Sequence, residues 1–223
     1  MHVDLQPLLL TLKLASVTTV ILFLTAIPLS YWMAFSKNRL KYFIEPLVSL
    51  PLVLPPTVLG FYILLVFSPK YFLGHFLENS LGIRVAFSFL GLIIGSVIFS
   101  LPFMVNPIKA AMESFPVSLI EACYVLGKSK RETLIKVILP NIRPALWVGI
   151  IMAFAHTIGE FGVVLMVGGN IPGQTRTASI AIFNEVEGLN YDTASFYSLV
   201  LIAVSFSVLC VFYYFNRKQF KIL

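Results

Sequence analysis

The stretch EACYVLGKSKRETLIKVILP, residues 121–140, is the longest polar interruption of an apolar chain on the side where positive charge collects. It reads as two short helices joined at a glycine. Ser118-Leu-Ile-Glu121 has the form of a capping box, a hydroxyl and a carboxylate three residues apart that satisfy orphan backbone N–H groups. Gly127 supplies the left-handed residue that stops a helix cheaply. Ser129-Lys-Arg-Glu132 repeats the box and starts a second helix, which Pro140 is expected to end. In that helix Leu134, Ile135 and Ile138 fall on one side, with Lys130, Arg131 and Lys136 on the others. Helices this short are not stable alone, so the apolar faces require a partner surface.

The rest of the chain says where that surface must be. Hydrophobic residues make up 58% of the 223 residues and charged ones 12%, against about 25% charged in soluble domains. Mean hydropathy is +0.92. These values define a polytopic membrane protein with a single all-α membrane domain over 1–223. The net charge of +6 does not imply nucleic acid, because the cations sit between apolar runs and not on one folded soluble face. Cys123 and Cys210 lie in different settings and read as small apolar fillers, with no disulfide framework or metal cluster. No cofactor is expected.

A spanning helix needs about 20 mostly apolar residues. Five runs qualify, at about 14–35, 46–67, 86–105, 144–167 and 195–215, with a polar loop over 106–143. The first does not read as a cleaved leader: its core is too long, no basic segment precedes it and no small-residue cleavage pattern closes it. Twelve of the 16 basic residues fall on one side: Lys37, Arg39 and Lys41; Lys109, Lys128, Lys130, Arg131, Lys136 and Arg143; Arg217, Lys218 and Lys221. Lys13, Lys70, Arg84 and Arg176 lie on the other. The positive-inside rule then puts residues 121–140 and the C-terminus in the cytoplasm and the N-terminus outside.

Two runs carry irregularities. The second holds Pro46, Pro51, Pro55 and Pro56, each removing a backbone donor. It reads either as a kinked packing helix or as a bent helix beside a pathway, where Thr57 and backbone groups freed by Pro55 and Pro56 meet a polar solute. The fourth holds Glu160, within His156-Thr-Ile-Gly-Glu160-Phe-Gly162. A carboxylate left in lipid costs roughly 2.5–3.5 kcal/mol on insertion scales. A structural or gating pairing for Glu160, with Arg176 as partner, stands beside a direct functional role. His156 reads as a hydrogen-bonding group across helices. Gly168-Gly169-Asn170 and Pro172-Gly173 are turn signals, and 178–186 reads as a short helix at the outer surface.

Catalytic patterns fail. Gly127-Lys128-Ser129 echoes a phosphate loop, but that loop needs a glycine where Ala122 stands and a strand before it. No HExxH, Cys/His metal spacing or GxSxG occurs. His156 and Glu160 are four apart without a nucleophile in view. An intramembrane enzyme and an ATP-independent channel are the competing classes. The first would act without partners, and the second would not need residues 121–140.

Residues 121–140 resemble the EAA loop of permease subunits of ABC importers, whose pattern is Glu-Ala-Ala, three residues, Gly, nine residues, Ile-x-Leu-Pro. Glu121, Ala122, Gly127, Leu139 and Pro140 match at that spacing; Cys123 replaces an alanine and Val137 an isoleucine. Beyond the loop, Leu50-Pro-Leu-Val-Leu-Pro-Pro-Thr-Val-Leu-Gly60, Gly159-Glu-Phe-Gly162 and Gly169-Asn-Ile-Pro-Gly-Gln-Thr-Arg-Thr177 are similar to the molybdate permease family, with tungstate and sulfate permeases related. The resemblance implies an importer of a tetrahedral oxyanion in a bacterial inner membrane. It implies a homodimer of this chain, separate cytoplasmic ATP-binding subunits gripping residues 121–140, and an external oxyanion-binding protein. Pro55, Pro56, Thr57, Glu160 and Gly162 are then the candidates for the pathway or gate.

Overall fold

The second apolar run does not cross as one helix. In the computed structural model, which describes residues 4–216, it folds as α2 (Lys41–Ser49), a 3-10 turn (Leu50–Leu52) and α3 (Pro56–Phe67). The two parts are bent by 114°. Pro51 sits inside the 3-10 turn, Pro55 precedes α3 and Pro56 opens it. A proline at a helix start loses nothing, because that N–H has no helical partner anyway. Consecutive prolines therefore end one helix and begin the next at a new angle. The 12 residues of α3 rise only about 18 Å, less than the hydrocarbon core.

Before this break lies α1 (Gln6–Phe35). It begins eight residues ahead of the expected span because Lys13 does not interrupt it. The Lys13 ammonium rests over the Phe89 ring, 4.8 Å from its centre. After the break come α4 (Phe72–Leu81) and α5 (Phe89–Glu113), the latter capped by the Ser88 hydroxyl, which accepts from Gly91 N. The polar loop holds α6 (Val117–Val125), α7 (Lys130–Thr133), a π turn (Leu134–Ile138) and α8 (Leu139–Asn141). The fourth run is α9 (Arg143–Gly159) and α10 (Gly162–Gly168), interrupted at Glu160–Phe161. Two further helices, α11 (Ala178–Glu187) and α12 (Tyr191–Asn216), complete the described chain.

Among the described residues three helices are long and apolar enough to cross a membrane, and counting each bent helix pair as one span raises this to five. The described residues contain no strand. The tail cations Arg217, Lys218 and Lys221 lie outside the described residues.

The core lies where α1, α5 and α9 meet. Leu22, Ala26, Met33, Met104, Val105, Ile108 and Ala153 form its buried centre. Lipid is as apolar as these side chains, so close packing and interhelical hydrogen bonds hold such helices together. Both occur here. Gly149 lies against Met104, with space for a Cβ only 2.9 Å from its sulfur. The Ser30 hydroxyl donates to Val105 O at 3.2 Å.

Helix α11, expected at the outer surface, is drawn in more than a surface helix requires. Ala178, Ile180 and Ala181 are buried, and Ala178 N donates to Thr11 Oγ1 at 2.8 Å. Nearby, Tyr197 Oη donates to Asp4 O at 2.6 Å, tying α12 to the segment before α1. Cys123 is buried, whereas Cys210 is exposed and so does not fill a gap within the chain.

Candidate functional site

The polar loop is built from local signals, with two departures from the sequence expectation. The first box does not form. Helix α6 starts after Pro116, and no side chain caps it. Ser118 therefore falls inside the first turn, two positions too late to act as a cap. At the other end Gly127 N donates to Tyr124 O and Lys128 N to Cys123 O, each at 3.0 Å. Gly127 has φ +75°. Together these make the Schellman ending that the glycine predicted.

The second box is present. Glu132 N donates to Ser129 Oγ, and Ser129 N donates to Glu132 Oε2, both at 3.2 Å. Lys136 Nζ donates to Glu132 Oε1 at 3.0 Å. The Lys136 ammonium, helped by the Ser129 N–H, holds the Glu132 carboxyl below its ordinary range.

Pro140 does not end this helix. It sits within α8, and the helix continues to Asn141. Its effect appears one turn earlier. Pro140 has no N–H for the Lys136 carbonyl, and its ring would press on that carbonyl in a regular α-helix. The backbone widens instead into the π turn, where Leu139 N donates to Leu134 O. The Asn141 amide donates to Val137 O at 2.7 Å, satisfying a carbonyl in the widened turn. Widening also separates the expected apolar face. Ile138 is 1% exposed and Leu134 half-buried, but Ile135 is 50% exposed.

The loop thus has an inner and an outer side. Ile120, Cys123, Thr133 and Ile138 are buried, while Val137, Leu139 and Pro140 are half-buried. Glu121, Ala122 and Gly127 are exposed, beside Val117, Leu119, Tyr124, Val125 and Leu126, with Val125 88% exposed. An exposed apolar patch rimmed by charge marks an interaction surface.

The two irregular segments of the membrane region meet. A Cβ on Gly162 would lie 2.7 Å from Pro56 Cβ and 3.5 Å from Thr57 N. A turn later, a Cβ on Gly60 would lie 2.7 Å from Met166 Cβ. Glycines on both helices therefore let α10 approach α3 closely. Pro55, Pro56 and Thr57 remain exposed.

Glu160 is 6% exposed, and its Oε1 accepts from Val163 N at 2.7 Å. It thereby satisfies a donor in the first turn of α10 from the residue before the N-cap Phe161. The Arg176 pairing is not formed; Arg176 Nε donates to Asn170 Oδ1 at 2.7 Å. The Ser179 hydroxyl, in α11, donates to Glu160 O at 2.6 Å and secures the break.

His156 bonds across helices as read from sequence. Its Nδ1 lies 3.0 Å from Ser100 Oγ, and its ring stacks on Phe103 at 4.0 Å. Ser100 Oγ also lies 3.0 Å from Thr157 Oγ1. Sequence reasoning passed over Ser100, Thr157 and three further hydroxyls. Thr18, Thr19 and Ser96 are buried, and among the described residues their side-chain oxygens have no hydrogen-bond partner. Their signal was available as hydroxyls inside apolar runs. At the opposite end from the loop, a cleft of about 370 Å³ is lined by residues including Ser68, Lys70, Tyr71, Arg84 and Phe87.

Residues 26–221 match the family described as binding-protein-dependent transport system inner membrane component, and the chain belongs to that family. It is 43% identical over 219 residues to the molybdenum transport system permease protein ModB of Azotobacter vinelandii, covering 98% of this chain and 96% of that one. The corresponding ModB of Escherichia coli K12 is 34% identical over 186 residues, or 82% of this chain and 80% of that one. A probable sulfate transport system permease protein cysT of Chlorokybus atmophyticus is 34% identical over 169 residues, covering 76% of this chain and 59% of that one.

The fold matches a bacterial ABC transporter involved in the import of the acidic polysaccharide alginate, with TM-score 0.80 at 16% identity, covering 96% of this chain and 79% of that one. The MetNI methionine ABC transporter in an inward-facing conformation matches with TM-score 0.74 at 16% identity, covering 96% and 94%.

Proposed function

We propose that this chain is the membrane permease of an ATP-driven importer whose cargo is a tetrahedral oxyanion, molybdate first, with tungstate and sulfate as the alternatives. The observation that carries the cargo is the 43% identity to a molybdenum transport permease across nearly both full lengths. The identity to sulfate-type permeases is lower and spans less of each chain. Two copies form the pathway, an external binding protein delivers the anion, and separate cytoplasmic subunits hydrolyse ATP.

Glu121, Ala122, Cys123, Gly127, Val137, Leu139 and Pro140 shape the loop those subunits grip. Helix α5 continues towards α6 with only Ser114–Pro116 between them, so motion of the loop reaches the membrane region directly. The segments at Pro55–Thr57 and Glu160–Gly162 line or gate the path. They offer Thr57 and backbone groups and no cage of fixed charge, which favours release of an anion. Arrangement in the membrane follows the charge: N-terminus outside, C-terminus and loop in the cytoplasm.

The test is ATP-dependent uptake in proteoliposomes holding the permease, its ATPase subunits and its binding protein. Radiolabelled molybdate should enter only with ATP and be displaced by excess tungstate more than by sulfate. Uptake without ATP, or displacement by sulfate ahead of molybdate itself, would overturn the reading.

A further inference from the structure

Between α1 and α3 lies a charge pattern that the transport cycle does not use. Lys37, Arg39 and Lys41 fall within five residues. The one acid of α2, Glu45, is already held by Lys109 at 3.1 Å, and Lys109 also holds Glu113 at 3.2 Å. Lys41 lies 5.5 Å over the Tyr42 ring. Among the described residues none of the three cations meets a carboxylate.

The geometry turns this into a surface. The 114° bend lays α2 close to the membrane plane when α3 stands across it. One side of α2 faces inward, with Val48 buried, Ile44 packed on the core and Glu45 clamped to α5. Tyr42 and Phe43, each 69% exposed, and Leu47 point elsewhere. An in-plane helix with aromatic and aliphatic side chains on one face and cations at its edge suits the membrane interface.

We propose that residues 37–47 bind anionic phospholipid headgroups. Lys37, Arg39 and Lys41 meet the phosphates, while Tyr42, Phe43 and Leu47 enter the acyl boundary. The bound lipid then steadies the base of the proline-broken span. This rests on the proposed topology, which puts the segment at the cytoplasmic leaflet. A second copy of the chain is a poor occupant by charge. On that side Glu45, Glu113 and Glu132 are already paired, leaving Glu121 to answer three cations.

The test uses the full-length chain in nanodiscs of phosphatidylcholine with a minor fraction of phosphatidylglycerol. Native mass spectrometry should find phosphatidylglycerol retained in preference, and the triple variant K37Q/R39Q/K41Q should lose it. Each cation near the surface contributes about 1 kcal/mol, a factor of roughly five in lipid affinity per charge removed. A second readout guards against misfolding: Tyr42→Trp should be quenched by brominated acyl chains. Equal retention of both lipids by the wild-type chain, or a Tyr42→Cys variant that cross-links to its own copy while Tyr42→Trp stays unquenched, would overturn the proposal. Neither readout depends on which anion is carried, so the oxyanion assignment fails or stands separately.

Discussion

Gly127 isolates a single physical variable. At φ +75° a Cβ would meet no atom of the chain within 4 Å, so within the chain a substitution there tests backbone conformation alone. Gly127→Val should cost about 1–2 kcal/mol at the joint, leaving insertion and purification intact while ATP-driven uptake falls. Gly127→Asn should retain more, since Asn tolerates the left-handed region. Normal uptake by the valine variant would remove the turn from the coupling path. Glu160 separates charge from hydrogen bonding. Glu160→Gln keeps an acceptor for Val163 N, whereas Glu160→Leu leaves that buried donor unpaired at a cost of about 1–3 kcal/mol. Melting in detergent should drop for leucine and hold for glutamine. If the carboxylate itself serves gating, the glutamine variant will also show altered uptake; unchanged uptake would leave Glu160 as the acceptor for Val163 N.

Among the elements, what was legible followed from local chemistry. Gly127 and the Ser129–Glu132 box were readable because each acts within four residues. The meeting of Gly162 with Pro56 was not, because a glycine's close approach depends on a helix a hundred residues away. Prolines were readable as breaks but not as angles. Pro55 and Pro56 turned an expected continuous span through 114°, and Pro140 widened the turn before it while the helix ran on. The Ser118 box failed because Pro116 had already started the helix. For α8 the expected experiment is Pro140→Ala. The restored N–H can bond the Lys136 carbonyl, the π turn should relax to an α turn, and the face carrying Ile135 should rotate by about 100°. Cross-linking of Ile135→Cys to the ATPase subunit should weaken, while that of Val125→Cys persists. An unchanged pattern would mean that Pro140 does not set the register.

For the molecule as a whole, topology is the first thing to measure. Reporter fusions at residue 125 should read as cytoplasmic and at residue 185 as external; the reverse would overturn both the loop's partner and the lipid contact at residues 37–47. The buried hydroxyls of Thr18, Thr19 and Ser96 bear on how the helices pack. Thr18 and Thr19 sit on α1 and Ser96 on α5, two helices that pack on each other. A buried hydroxyl without a protein partner costs about 1–3 kcal/mol, so a packing of these two helices that pairs one of these hydroxyls is favoured by that much over one that leaves it unpaired.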